Sequence, residues 1–306
     1  MATYTDPSNV QRFDLTGNPF VDSLFDNTAY FRVAWDTVVN SKTAITYSFP
    51  WANGVASLFD AGYGNGENTA PTTGAVTAIE TPGIVAAFQA WSDVANLTFT
   101  KVDETAAGQV GDIRIAFTSV IDAGYWGYTL LTSDGGDNSH GDIWIGTDMM
   151  GESFASGAFN YEAILHEIGH ALGLAHPFEG NIIPAGYDNQ RYTIMSYTSP
   201  ENVWWLNPAT GQYDFLIKSP MVYDIAAIQQ IYGANTAYHA GTTRYVYAED
   251  QPFFATIWDG GGIDTIDIRG FTKGCTIDLV PGTYSTLGFV NASLDQRVRD
   301  RIFEPF

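Results

Sequence analysis

The sequence predicts an α+β fold with three amphipathic helices, a set of short strands and a β-rich extension at the end. Apolar residues recur at three- and four-residue steps, the helical period, in segments 81–96, 161–172 and 220–233. β-Branched and aromatic residues dominate four shorter segments, 42–49, 97–102, 112–118 and 141–147, which predicts strands. After residue 233 the sequence changes to short runs separated by glycines, which indicates a domain boundary.

Composition limits the classes of function. The 306 residues are 45% hydrophobic, which is ample for one large core or two modest ones. The formal net charge of -21 repels phosphate groups, so we expect neither nucleic acid nor an anionic membrane as a partner. The same carboxylates suit calcium, which prefers oxygen ligands. No segment has the apolar length of a membrane span, and nothing in the sequence indicates more than a monomer.

The first 25 residues are polar and rich in turn-forming residues, and we expect them to form a loose arm. The first ten contain neither the basic segment nor the apolar run of a secretory signal peptide. The single cysteine, Cys275, allows no internal disulfide and is expected to be a half-buried strand residue. Taken alone, these features predict a cytosolic protein.

The first long helix is expected over 81–96, after a strand at 42–49 and a loop at 61–75. It begins with Thr81 as the cap and Pro82 at the first helical position. Its apolar stripe predicts a helix that packs on the core and carries no chemistry. The stripe comprises Ile84, Val85, Phe88, Trp91 and Val94.

Two loops leave more than one interpretation open. The glycine-rich segment 123–141 contains Asp134, Asp137 and His140, which could form a structural metal site or a solvated loop. The long loop 178–215 contains Trp204 and Trp205, which either line a substrate subsite or pack beneath the loop.

The segment 161–177 carries the strongest functional signal, with the spacing H-E-x-x-H-x-x-G-x-x-H. His166 and His170 are four residues apart, so a helix presents both imidazoles on one face. Glu167 lies beside them, where a carboxylate can accept a proton from a metal-bound water. Gly173 lets the chain leave the helix through a left-handed conformation, and the reversal can return His176 as a third ligand. Three ligands and an open position are typical of catalytic zinc, which lowers the pKa of its bound water.

Isolated histidines on a helix are more often surface or core residues than metal ligands. Here, however, three of the five histidines of the chain fall within eleven residues. The motif, followed by Pro177, resembles the serralysin family of metzincin zinc endopeptidases. In that family a methionine turn follows, and Ile194-Met195-Ser196-Tyr197 matches it. The resemblance implies that Met195 underlies the zinc site and that Tyr197 is a displaceable zinc ligand. From the residues alone, Met195 could be a core filler and Tyr197 an ordinary tyrosine.

The resemblance also implies the architecture of the rest of the chain. We expect a propeptide-like arm at 1–25, a catalytic domain at 26–233 with a twisted, mostly parallel sheet, and a β-rich C-terminal unit at 234–306. The strand at 141–147 is the candidate for pairing with the substrate backbone. Serralysins are exported through a C-terminal signal and need no N-terminal one, so the resemblance replaces the cytosolic expectation with secretion.

A calcium site is expected in the C-terminal unit, where carboxylates and glycine carbonyls lie close together in the sequence. The resemblance pairs this segment with an upstream loop. The candidate residues are His239, Gly241, Thr243, Asp259, Gly261, Gly262 and Asp264. Serralysins continue into glycine-rich nonapeptides that form a calcium-binding roll. Because no such array is present, we expect either a chain truncated before the roll or a member that naturally lacks it, and in both cases one without the export signal that lies beyond the roll.

The predicted function is a secreted zinc endopeptidase that hydrolyses peptide bonds of proteins. Metal-activated water would attack the peptide, with Glu167 as general base and Tyr197 assisting. Protein or peptide substrates are the expected partners, and a proteinaceous inhibitor is a second class of partner. The alternative is a catalytically silent protein that carries zinc and calcium and binds peptides or an inhibitor. Turnover of casein distinguishes the two.

Overall fold

The computed structural model describes residues 10–28, 32–55, 57–59, 63–121, 125–131, 139–200, 205–206, 213–214 and 217–289. Its helices are α1 (Pro19–Asp22), α2 (Thr81–Val94), α3 (Phe159–Ala171) and α4 (Val222–Tyr232). The first strands are β1 (Val10–Arg12), β2 (Val33–Trp35), β3 (Val38–Val39), β4 (Lys42–Ser48), β5 (Thr73–Ala75), β6 (Leu97–Lys101) and β7 (Ile113–Thr118). The remaining strands are β8 (Gly127–Thr129), β9 (Ile143–Gly146), β10 (Trp205–Leu206), β11 (Tyr213–Asp214), β12 (Arg244–Val246) and β13 (Thr265–Asp267).

A mostly parallel sheet forms the centre of the fold. Strand β4 pairs in parallel with β6 and β7, and β7 pairs in parallel with β9. Strands β3, β5 and β8 add antiparallel pairings, with β8 last in the order β3-β4-β7-β9-β8. The prediction that 141–147 borders the cleft is therefore wrong, because β9 lies between β7 and β8. Strand β8, rather than β9, lies at this edge of the sheet.

Helices α2 and α3 pack against one another in the main core, which they share with α4 and the sheet. Trp91 of α2 is fully buried, and its indole Nε1 donates to the carbonyl oxygen of Leu165 in α3 at 3.1 Å. The predicted apolar stripe of α2 is buried except for Val85, which is 41% exposed. The helix begins one residue earlier than predicted, since Glu80 is its N-terminal cap residue and Thr81 is already helical.

Several short elements lie in segments predicted as loops. Strand β5 and a turn of 3₁₀ helix at Glu67–Thr69 lie within 61–75, and β8 lies within 123–141. The described part of the N-terminal arm also forms regular structure, because β1 pairs with β2 and α1 follows. In each case pairing with a distant strand or packing on the core provides stability that the local sequence does not indicate.

The last helix ends as predicted at Gly233, whose φ of 79° is in the region that favours glycine. Beyond it, β12 and β13 pair in parallel, with Arg244 opposite Thr265. Within the residues described, no helix is long and apolar enough to cross a membrane.

Candidate metal centre

Helix α3 and the turn after it bring three histidines together. His166 and His170 are both buried on one face of the helix. Gly173 adopts a φ of 102°, and a Cβ at this position would lie 2.8 Å from the carbonyl oxygen of Val33. A side chain there would therefore meet both backbone strain and a close contact. The reversal at this glycine returns His176 to the face of the other two, as predicted from the spacing.

The ring nitrogens of the three histidines converge. His176 Nε2 lies 3.0 Å from His170 Nε2 and 3.3 Å from His166 Nε2. The Nδ1 atom of His166 faces the carbonyl oxygen of Ile194 at 2.7 Å, and that of His170 faces the carbonyl oxygen of Leu174 at 2.8 Å. Because carbonyl oxygens only accept, each Nδ1 carries the proton, and each Nε2 directs a lone pair into the shared space.

This arrangement fits a zinc ion. A tetrahedral ion with nitrogens at about 2.1 Å holds those nitrogens about 3.4 Å apart, close to the spacing here. Burial lowers the pKa of His166 to about 4 and also lowers the pKa values of His170 and His176, so the imidazoles are neutral. Lone pairs of neutral imidazoles that converge in this way are the donor set that a zinc ion accepts. Among the described residues, these histidines are also the only group of three metal-binding side chains with ligand atoms within 4.8 Å.

Glu167 lies beside the histidines and is oriented by the edge strand. Thr129 of β8 donates its hydroxyl to Glu167 Oε2 at 2.7 Å. Burial raises the pKa of Glu167 to about 7, which brings this carboxylate into the range of a base active near neutral pH. Sequence reasoning missed Thr129, because its strand lies in a glycine-rich segment that was predicted as a loop.

The methionine turn lies beneath the histidines. Met195 is fully buried, and a Cβ on Gly169 of α3 would lie 2.8 Å from its sulfur atom. The glycine between the two helical histidines thus leaves room for the methionine, a role that sequence analysis did not assign. Tyr197 is 67% exposed, and its hydroxyl lies 2.8 Å from His176 Nε2. Met195 therefore lies against the helix that carries two of the histidines, and the Tyr197 hydroxyl lies beside the third.

The candidate calcium residues also lie close together. The backbone N–H of Thr243 donates to Asp264 Oδ1 at 2.8 Å, which joins the upstream loop to the glycine-rich segment. The N–H of Gly261 donates to Asp259 Oδ1 at 2.8 Å. Gly262 passes so close to the carbonyl of Gly241 that a Cβ would overlap it. The Nδ1 atom of His239 faces the Tyr245 hydroxyl at 2.9 Å, and calcium prefers oxygen ligands, so the carbonyl oxygen is the ligand that this residue would offer.

Some predicted features lie outside the described residues. These include Asp134 and Asp137 of the metal hypothesis for 123–141, Trp204 of the long loop, and residues 290–306. His140 is described and buried. Cys275 is partly buried, as expected, but lies outside the assigned strands.

Comparison with known proteins gives a consistent result. Residues 69–196 match the matrixin family of M10 peptidases, and residues 223–299 match the peptidase M10 serralysin C-terminal family. The metalloprotease AprA of Pseudomonas entomophila (strain L48) is 34% identical over 227 residues, which cover 66% of this chain and 46% of that protein. Serralysin of Proteus mirabilis is 30% identical over 301 residues, which cover 85% of this chain and 57% of that protein. The chain thus spans about half the length of the curated relatives it matches.

Proposed function

The chain belongs to the serralysin family of metzincin zinc metalloendopeptidases, and on that premise we propose that it is a secreted endopeptidase that hydrolyses peptide bonds of proteins. The observation that carries this proposal is the convergence of three neutral imidazoles beside a buried carboxylate. His166, His170 and His176 would hold zinc, with the hydroxyl of Tyr197 close enough to join them. When bound, zinc supplies a Lewis acid that polarises the scissile carbonyl and acidifies water.

Glu167 is the proton carrier in this proposal. Its buried carboxylate accepts a proton from the attacking water and then passes it to the leaving amine. The Thr129 hydroxyl fixes the position of Oε2 during both transfers. The Tyr197 hydroxyl donates to the oxyanion that develops on the substrate, once substrate has displaced it from His176.

Strand β8 is the proposed platform for the substrate backbone. The backbone of Trp126 and Leu130 bonds toward β9, through Gly146 N and Asp142 O. In an antiparallel edge strand the alternate residues direct their backbone groups the other way, so the backbone groups of Gly127 and the carbonyl oxygen of Thr129 are available to an added strand. The backbone N–H of Thr129 instead bonds to the Glu167 carboxylate. Because Thr129 contacts Glu167, a peptide paired here has its scissile bond next to the proposed base.

The test of the function is cleavage of an unfolded protein such as casein, with new termini identified by mass spectrometry. We expect internal cleavage that stops when zinc is removed. Zinc binding without any cleavage would favour the alternative of a silent protein that binds peptides or a proteinaceous inhibitor. Secretion, a monomeric state, and the division into an arm at 1–25, a catalytic unit at 26–233 and a β-rich unit at 234–306 are part of the same proposal.

Replacing Tyr197 with phenylalanine is expected to lower kcat for casein peptides by about a hundred-fold, the cost of losing one oxyanion donor. Zinc content should not change, because the three histidines remain. Tyr187→Phe is the matched control, since that tyrosine packs against other aromatic rings away from the histidines. A Tyr197→Phe enzyme with wild-type kcat would contradict the role of this hydroxyl.

We propose that Asp259 and Asp264, with the Thr243 hydroxyl and the carbonyl oxygens of His239, Gly241, Gly261 and Gly262, bind calcium. Calcium should then raise the midpoint of thermal unfolding, because a ligand that binds only the folded state stabilises it by mass action. Asp264→Asn should reduce this shift, whereas Asp278→Asn, an exposed aspartate elsewhere in the unit, should not. An equal shift in both variants would contradict the assignment.

A further inference from the structure

A chain of hydrogen bonds connects His166 to a buried carboxylate that the proposed mechanism does not use. His166 Nδ1 donates to the carbonyl oxygen of Ile194 at 2.7 Å. The N–H of the same peptide unit belongs to Met195, and it donates to Thr193 Oγ1 at 3.1 Å. The Thr193 hydroxyl donates in turn to Asp224 Oδ1 at 2.6 Å. Every link therefore donates in one direction, from the imidazole toward the carboxylate.

Asp224 is held firmly at the end of this chain. It lies in the first turn of α4 and is fully buried. Its Oδ2 accepts from the backbone N–H groups of Ile194 and Met221, each at 2.8 Å. The carboxylate thus fixes the methionine turn to the last helix through two donors, Thr193 Oγ1 and Ile194 N, while the Met221 N–H belongs to the cap of the helix itself. Burial raises the pKa of Asp224 to about 7, so the group is ionised in a buffer at pH 8.5.

The direction of the links has a physical consequence. Hydrogen bonds in series polarise one another, so a carbonyl whose peptide N–H is engaged becomes a stronger acceptor on its oxygen. A stronger acceptor at Nδ1 draws the proton of His166 and increases electron density at Nε2. In metal sites, a partner of this kind fixes the orientation of the imidazole and raises its basicity as a ligand.

The second helical histidine lacks such a connection among the described residues. His170 Nδ1 donates to the carbonyl oxygen of Leu174 at 2.8 Å. The N–H of that peptide unit belongs to Ala175 and donates to the carbonyl oxygen of Leu24 at 2.8 Å. That path ends at a neutral backbone group, whereas the path from His166 ends at a carboxylate.

We propose that Thr193 and Asp224 are positioning residues of the metal centre, which act through the Ile194–Met195 peptide to orient His166 and strengthen its Nε2 as a zinc ligand. The inference rests on the zinc site of the proposed function, but it does not depend on peptide cleavage. Neither residue contacts the metal, the substrate or Glu167 in this account.

The test compares three variants. Thr193→Val removes the hydroxyl while keeping the shape, and it leaves both backbone bonds to Asp224 Oδ2 in place. Thr193→Ser restores the hydroxyl. Thr118→Val is the matched control, because Thr118 is also buried, donates to the carbonyl oxygen of Glu67 at 2.9 Å and accepts from the N–H of Val120 at 3.3 Å. Its links do not lead to a histidine.

Zinc affinity is measured at pH 8.5 by competition with a chromophoric chelator. Thr193→Val is expected to bind zinc about ten-fold more weakly, the lower end of the range for partners of metal ligands. Thr193→Ser and Thr118→Val should bind zinc like the wild type. In the zinc-loaded protein, the NMR signal of the His166 Nδ1 proton should move upfield in Thr193→Val and return in Thr193→Ser.

Unchanged zinc affinity and an unchanged proton shift in Thr193→Val would overturn the inference, even if that variant unfolds more easily. If Thr193→Val does not fold, Asp224→Asn provides the same two readouts, with the same expected directions and the same overturning result. The proposed function is tested independently of this inference. A wild-type protein that binds zinc but does not cleave casein would contradict the peptidase function, while the zinc affinities of the Thr193 variants would still decide the role of Thr193.

Discussion

Glu167→Gln should retain zinc and lose cleavage by about 10³- to 10⁴-fold, the upper part of the range for general acid–base catalysis. Glutamine has nearly the same shape and can still accept the Thr129 hydroxyl, so the packing of the buried site is preserved. It cannot take a proton from water, because an amide is not basic enough. The measurement is kcat for a casein-derived peptide, together with zinc content by elemental analysis.

A second glutamate on α3 provides the control for this variant. Glu162 is also buried, but its Oε1 accepts from Gln190 Nε2 at 2.6 Å and it faces no histidine. Glu162→Gln should therefore keep most of the wild-type activity. Equal activity in Glu167→Gln and the wild type, at equal zinc content, would remove Glu167 from the mechanism.

His176→Phe should abolish cleavage and weaken zinc binding by more than the 10- to 100-fold that is typical of changes outside the ligands. His176 is the ligand that the turn at Gly173 returns to the site, and its Nε2 lies within 3.3 Å of both other Nε2 atoms. Phenylalanine keeps a flat aromatic ring, although a slightly larger one, and can still stack on Phe178, whose ring lies nearly parallel at 5.0 Å. It has no lone pair for a metal.

The control for His176→Phe is the stability of the metal-free protein. Because the ring packing is kept, the metal-free forms of the variant and the wild type should unfold at similar urea concentrations. Only the wild type should be strongly stabilised when zinc is added, since binding to the folded state alone shifts unfolding. A variant that keeps wild-type zinc affinity would show that His176 is not a ligand.

The histidines could be predicted from sequence because their geometry is local. A four-residue step on one helix and a glycine at its end determine where His166, His170 and His176 lie relative to one another. The helices were predictable for the same reason, since their apolar period lies within single segments. Val85 fits the apolar stripe of α2 but is partly exposed. The spacing of apolar residues indicates which face of a helix is buried, but not how wide the buried face is.

What the sequence could not indicate depends on contacts between distant segments. Strand β8 has three residues in a glycine-rich segment, and its pairing with β9 rather than its local sequence makes it a strand. Because of this pairing, the Thr129 side chain lies next to Glu167, and β9 lies inside the sheet rather than at its edge. Asp224 looks like an ordinary acidic residue in the first turn of a helix. Its contact with the methionine turn is visible only in three dimensions.

The most direct test of the central claim is zinc content measured together with activity. The purified chain is analysed for metals, and casein cleavage is followed before and after treatment with a zinc-selective chelator and after zinc is returned. The account predicts about one zinc per chain at the three-histidine site, with activity lost on chelation and restored by zinc. Cleavage that persists in zinc-free protein, or a zinc-loaded protein that never cleaves casein with or without calcium, would contradict it.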